Sequence, residues 1–370
     1  MSSSIKSTAL EPDASLDGTV NTLAQRLLRA VPSYGLVVLA ALLALLFSVL
    51  LPDTFPTLFN LRAILSDKSI IALLALAAMI PMITGKIDLT VGYGIVLWHI
   101  LAISLQTRYG LPWPLAVMGV LVCAALFGMF NGLLVELAQI DSFIATLGSG
   151  TVLYAIAMWH SGGRQVVGEL PEGFVSLAGA DLFGLPLPAF FVAAVALVLW
   201  AVTEFMPLGR ALYVIGANPK AAELNGLSVR RHVMGAFVAS GLLSGFAGVL
   251  LASRLQIGQA SVGLEFLLPA LVGAFLGSTT IRPGRVNVWG TLVGVAILAI
   301  GISGIQQFGG AFYVEPLFNG LTLLISIGIA GWAQQRRNAS IRRRISQRQL
   351  DEEVPAPAPR VSMTSQSTRP

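Results

Sequence analysis

Side chains able to transfer a proton, attack a carbonyl or hold a metal are few in this sequence, and they are scattered. The histidines His99, His160 and His232 lie far apart, and the single cysteine, Cys123, sits inside an apolar run, where it reads as a buried small hydrophobe. Neither a zinc-protease helix nor a Gly-x-Ser-x-Gly nucleophile elbow is present. Gly85-Lys86 suggests a phosphate loop, but position 80 is Ile80 where that loop needs glycine, and Ile87 replaces its Ser or Thr. The acids Asp88, Glu136, Glu204, Glu265 and Glu315 fall near the ends of apolar runs instead of converging. No catalytic residue and no metal set is assigned; the chain reads as a non-enzyme that binds no cofactor.

Ionisable groups inside a bilayer are costly and mark ion or substrate routes. His99, next to Trp98, is the deepest such group here, and Asn131 and Asn319 are comparable polar insertions. These three are the candidate pathway residues, with hydrogen bonding between helices as the competing role. The near absence of mid-span acids argues that an external motor, not an ion gradient, supplies the energy.

The longest polar interruption in the C-terminal half, Pro207 to Arg231, carries helix punctuation. Asn218 suits the N-cap, Pro219 the first helical position, Lys220, Ala221, Ala222, Glu223 and Leu224 continue, and Gly226 supplies a left-handed stop. A helix of about two turns is marginal alone, so it is expected to be docked, either as an ordinary interfacial loop helix or, in the sharper reading, on a cytoplasmic partner. Ala222, being small, is expected to face that partner, with Lys220 and Glu223 as polar contacts at a rim.

These residues must be positioned by membrane helices. Of 370 residues, 55% are hydrophobic and 11% charged, whereas a soluble domain carries about 25% charged residues. The expected fold is all-α: a polytopic membrane helix bundle of about ten transmembrane helices, near 34–51, 70–84, 89–105, 113–135, 143–159, 188–205, 233–253, 264–280, 286–305 and 316–333. With the N-terminus inside, 18 Lys and Arg residues lie on the cytoplasmic side against 5 outside, which puts both termini and the 207–232 loop in the cytoplasm. The layout is a cytoplasmic tail over 1–33, a transmembrane domain over 34–333, and a basic then disordered tail over 334–370. Basic residues confined to loops and the C-terminal run Arg336 to Arg348 suit anionic membrane lipids, not nucleic acid. Glycines four apart, Gly128/Gly132, Gly241/Gly245, Gly273/Gly277 and Gly290/Gly294, allow close helix packing in lipid, and Ser240, Ser244, Gly248 and Ala252 form a further stripe.

Several stretches carry a family resemblance. Gly85-Lys86-Ile87-Asp88-Leu89-Thr90-Val91-Gly92 is similar to a GGIDLSVGS motif. It is followed in order by Asn131-Gly132-Leu133-Leu134-Val135, Phe143-Ile144-Ala145-Thr146-Leu147-Gly148, Leu208-Gly209-Arg210, Ile215-Gly216-Ala217-Asn218, Ala221-Ala222-Glu223-Leu224-Asn225-Gly226, Ser240 to Gly248, and Trp289-Gly290-Thr291. The chain resembles permease subunits of ATP-binding cassette importers for ribose, xylose or galactose, from about residue 60 to 332. That resemblance implies a homodimer in the bacterial inner membrane, two ATPase subunits that use ATP below it, and a periplasmic or extracellular substrate-binding protein above. Asn218 to Gly226 would be the ATPase-coupling helix. Lys86 replaces a family glycine, and Ile281 to Asn287 replaces a more glycine-rich turn. The alternatives are an ion-coupled secondary transporter of a small polar solute and a membrane enzyme acting on lipid.

Overall fold

A computed structural model of the chain describes residues 34–282, 284–310, 313–325 and 328. The tails expected over 1–33 and 334–370 and the end of the last expected span lie outside these residues. Among the described residues an apolar helix falls in each of the expected runs, but not all are of spanning length. Seven are long enough to cross a bilayer: α2 (Leu58–Ile83), α3 (Thr90–Thr107), α4 (Trp113–Glu136), α5 (Ser142–Ser161), α7 (Leu187–Phe205), α10 (Val229–Leu255) and α12 (Val288–Gln307). The other three are shorter: α1 (Tyr34–Leu50), a helix over Leu264–Leu276 whose regular part is α11 (Leu267–Leu276), and α13 (Val314–Ile325).

Helix starts follow local chemistry. Thr57 caps α2 through Asn60 N at 3.1 Å, Asp141 caps α5 through Phe143 N at 3.0 Å, and Asn287 caps α12 through Gly290 N at 2.8 Å. The Thr57 cap explains why α2 begins twelve residues before the expected Ile70: the helix carries Arg62, Asp67 and Lys68 ahead of its apolar stretch.

Packing is organised by small residues. A Cβ on Gly128 of α4 would strike the Phe237 carbonyl of α10, and one on Gly241 of α10 would strike the Ala124 carbonyl of α4. The pairs read separately in sequence are therefore two sides of one crossing. Gly273 of α11 and Gly277 just past its end meet α12 in the same way: a Cβ on Gly290 would come within 2.6 Å of the Gly277 carbonyl and one on Gly294 within 2.7 Å of the Gly273 carbonyl. The stripe of α10 turns to α3, where Ser244 Oγ donates to Val91 O at 3.0 Å and Gly248 abuts Trp98. Such backbone approach is what drives helix association where lipid removes the hydrophobic term.

The centre is α2, α3 and α10; α4, α5 and α7 cover it and expose Val122, Leu126, Val152 and Val198. Cys123 is a correction to the sequence reading: it is exposed. The buried stripe of α4 runs through Ala116, Val120, Ala124, Gly128 and Asn131, and Cys123 falls off it.

The inter-helix segments sort onto two faces. One holds 84–89, 137–141, 206–228 and 277–287, and corresponds to the inner side of the expected topology. The other holds 51–57, 108–112, 162–186 and 256–263. Within it lie α6 (Glu172–Gly179) and a hairpin of β1 (Asp181–Leu182) and β2 (Leu185–Pro186). α6 is held by its buried Phe174 and by Ser253 Oγ, which donates to Phe174 O at 2.8 Å.

Candidate functional site

The 206–228 segment folds as two helices, α8 (Pro207–Ala217) and α9 (Pro219–Leu224). Asn218 Oδ1 accepts from Ala221 N at 3.0 Å, Pro219 opens the helix, and Gly226 takes φ +82° just past its end. The stop is reinforced by Leu227 N, which donates to Ala222 O at 3.1 Å. The punctuation read in sequence is thus the punctuation that operates.

Its orientation is not the expected one. Ala222 is fully buried, packed with Val135, Ala145, Ile215, Val233 and Phe237 of the bundle. It is the anchor of α9, not its outward face. Pro219, Lys220, Glu223 and Asn225 point outward, and Leu224 is 84% exposed. A small residue was read as room for a partner, whereas its size admits α9 onto its own bundle.

The platform beneath α9 is cross-linked. Tyr213 of α8 donates its hydroxyl to Val286 O at 2.8 Å, and the Arg285 guanidinium lies 3.5 Å from the centre of the Tyr213 ring. Burial pushes the Tyr213 hydroxyl above the usual tyrosine range, with Arg285 pulling the other way, so it remains a donor. Arg282 holds Glu204 at 2.6 Å, tying the 277–287 turn to the end of α7. Lys86, the departure from the family motif, reaches Glu136 at 3.6 Å. Sequence reasoning missed these cross-links, because they join loops distant in the chain.

Behind this face lies a buried polar strip around the start of α3. Asp88 Oδ1 accepts from Thr90 N at 2.9 Å and from Thr90 Oγ1, while Asp88 Oδ2 accepts from Ser240 Oγ at 2.7 Å. Asn131 Nδ2 donates to Thr90 Oγ1 at 3.1 Å, and Asn131 Oδ1 accepts from Ser149 Oγ at 2.6 Å. Leu89 N and Ile87 N donate to Thr146 Oγ1 and Ser142 Oγ, both at 3.1 Å. The motif residues thus bind α3 to α4, α5 and α10.

The three pathway candidates do not come together. Asn131 belongs to the strip. His99 is fully buried in α3, its Nδ1 donating to Ile95 O at 2.9 Å and its Nε2 accepting from Gln259 N at 3.1 Å. Asn319 of α13 is buried, with an Oδ1 that has no hydrogen-bond partner among the described residues.

Residues 60–330 match the family described as branched-chain amino acid transport system / permease component. The chain belongs to this family. The permease is 31% identical over 287 residues to the ribose import permease protein of Bacillus subtilis, covering 77% of this chain and 88% of that protein. It is 27% identical over 296 residues to the D-allose transport system permease protein of Escherichia coli strain K12, covering 80% and 90%. It is 29% identical over 280 residues to the autoinducer 2 import system permease protein of the same strain, covering 74% and 84%. No solved structure matches the chain. Family and apolar helices together place the permease in the inner membrane.

Proposed function

We propose that this permease is the membrane subunit of an ATP-binding cassette importer for a monosaccharide or related polyol. A soluble binding protein delivers the solute, and separate ATPase subunits bind and hydrolyse the ATP. The observation that carries the reading is α9: a capped six-residue helix, anchored by Ala222, that turns Lys220, Glu223 and an exposed Leu224 toward the inner side. A large apolar side chain held outward by a rigid, polar-rimmed element is the form of a docking knob. The family description names branched-chain amino acids, but relatives named for ribose and allose align over most of their length, which favours a sugar.

In this reading residues 34–333 form a translocating unit that acts as a homodimer, both tails are cytoplasmic, and Asn218 to Gly226 couples to the ATPase. His99 and Asn131 are assigned to holding α3, while Asn319 keeps a free acceptor that a hydroxylated solute could use. The test is uptake of labelled ribose and allose by proteoliposomes containing permease, ATPase and binding protein. Uptake is expected to require ATP, to survive an uncoupler, and to resist competition by leucine. Loss of uptake with the uncoupler at constant ATP would favour ion-coupled transport instead.

A further inference from the structure

A second feature lies on the inner half of the bundle, away from the outward face of α9. α7 and α10 both pack on α2. They meet near their outer halves, where Phe191 and Phe246 stack edge to face with ring centres 5.5 Å apart. Toward the inner side they diverge, leaving a crevice of about 530 Å³. Its walls are Leu199 and Val202 of α7 and Ala236 and Ala239 of α10, with Ile80 and Ile83 of α2 as its floor. α8 closes the inner end with Leu208 and Leu212.

The rim has the opposite chemistry. Ser228, Arg231 and His232 stand at the inner mouth. Arg231 is exposed and makes no ion pair among the described residues. His232 Nδ1 donates to Ser228 O at 2.8 Å, so the histidine ring is tied to the start of α10 and Arg231 is the rim's free cation among the described residues. No carboxylate lines the crevice, and Glu204, beside Thr203 at the end of α7, is held by Arg282. Gly235 is exposed on the wall, with open space where a side chain would stand.

We infer that this crevice holds one acyl chain of an anionic phospholipid from the inner leaflet, with its headgroup phosphate at Arg231. The depth between two membrane helices suits a hydrocarbon chain, and the unpaired cation at the mouth lies where an anionic headgroup would sit. A soluble anion would use the rim without the crevice; a neutral lipid would use the crevice without the rim. An anionic lipid uses both. Because α8 closes the crevice and leads into α9, the occupant would brace the helix pair read above as the docking element; lipid binding itself does not depend on that reading.

The test uses the full-length permease in phosphatidylcholine nanodiscs doped with a phosphatidylglycerol probe photoactivatable at the end of its acyl chain. Peptide mapping is expected to find adducts within 199–203, 208–212 or 80–83. Excess phosphatidylglycerol should compete, whereas glycerol phosphate should not. Arg231→Gln, at an exposed site, should lower the adduct yield about fivefold, the effect of removing one near-surface basic residue. Gly235→Leu should lower it by filling the wall. Equal labelling by a phosphatidylcholine probe, an unchanged yield in Arg231→Gln, or competition by glycerol phosphate would each overturn the assignment. So would adducts that disappear when the ATPase binds, which would give the crevice to a protein partner.

Discussion

α3 and α9 use similar polar residues to opposite ends. In α3 and its leading turn, Asp88, Thr90 and His99 are buried and their side chains are engaged by neighbouring helices or by the backbone. In α9, only Ala222 is buried, and Lys220 and Glu223 make no ion pair among the described residues. Inside the bundle an unsatisfied polar group costs too much to leave free, so polar chemistry there becomes structure. On the exposed side of α9 water can satisfy such groups. Residues available for function are therefore those whose hydrogen bonds are not already made within the fold.

The sharpest way to break this contrast is at Asp88. Asp88→Leu leaves Thr90 N, Thr90 Oγ1 and Ser240 Oγ without their acceptor, a loss on the order of 3–6 kcal/mol. It is expected to collapse the yield of folded permease in a detergent unfolding assay, whereas Asp88→Asn should be partly tolerated. A stable Asp88→Leu protein would mean that the strip does not hold α3.

The next test separates the two faces of α9. Ala222→Trp is expected to destabilise the permease itself by about 1–3 kcal/mol through overpacking, seen as a lower melting temperature alongside lost ATPase co-purification. Leu224→Asp should leave melting unchanged and weaken co-purification roughly tenfold, the loss of one partly buried Leu at an interface. If Ala222→Trp melts like the unmodified chain, the buried anchor has been misassigned.

A smaller effect is expected at His99. His99→Ala removes the acceptor for Gln259 N and the donor to Ile95 O, about 1–2 kcal/mol. Hydrogen exchange at the Gln259 amide should speed up while ATPase association is retained. Smallest of all is Lys86 with Glu136: Lys86 is one-third exposed, and a double-mutant cycle on stability is expected to give a coupling below about 1 kcal/mol.

How far the sequence could be read depended on the range of the interaction. α9 was legible almost to the residue because Asn218, Pro219 and Gly226 act on backbone groups within one turn. A polytopic helical bundle was legible for a similar reason, since lipid demands unbroken apolar stretches; of the ten runs read, seven form helices long enough to cross a bilayer among the described residues. The start of α2 was not, because a capped helix can carry Arg62, Asp67 and Lys68 beyond its apolar core. Nor was Cys123: α4 is apolar all round, so no periodicity separates its buried stripe from its exposed side.

The sequence by itself determined a bundle of membrane helices with a short capped helix in the polar segment between two of them, because composition and local capping act on each segment independently. Only the tertiary structure decided that Gly128 answers Gly241, that His99 holds Gln259, and that Ala222 faces inward while Leu224 faces out. A six-residue helix has too few positions for a pattern to mark its faces. The neighbours that decide its orientation, Val135, Ala145 and Phe237, lie on three other helices.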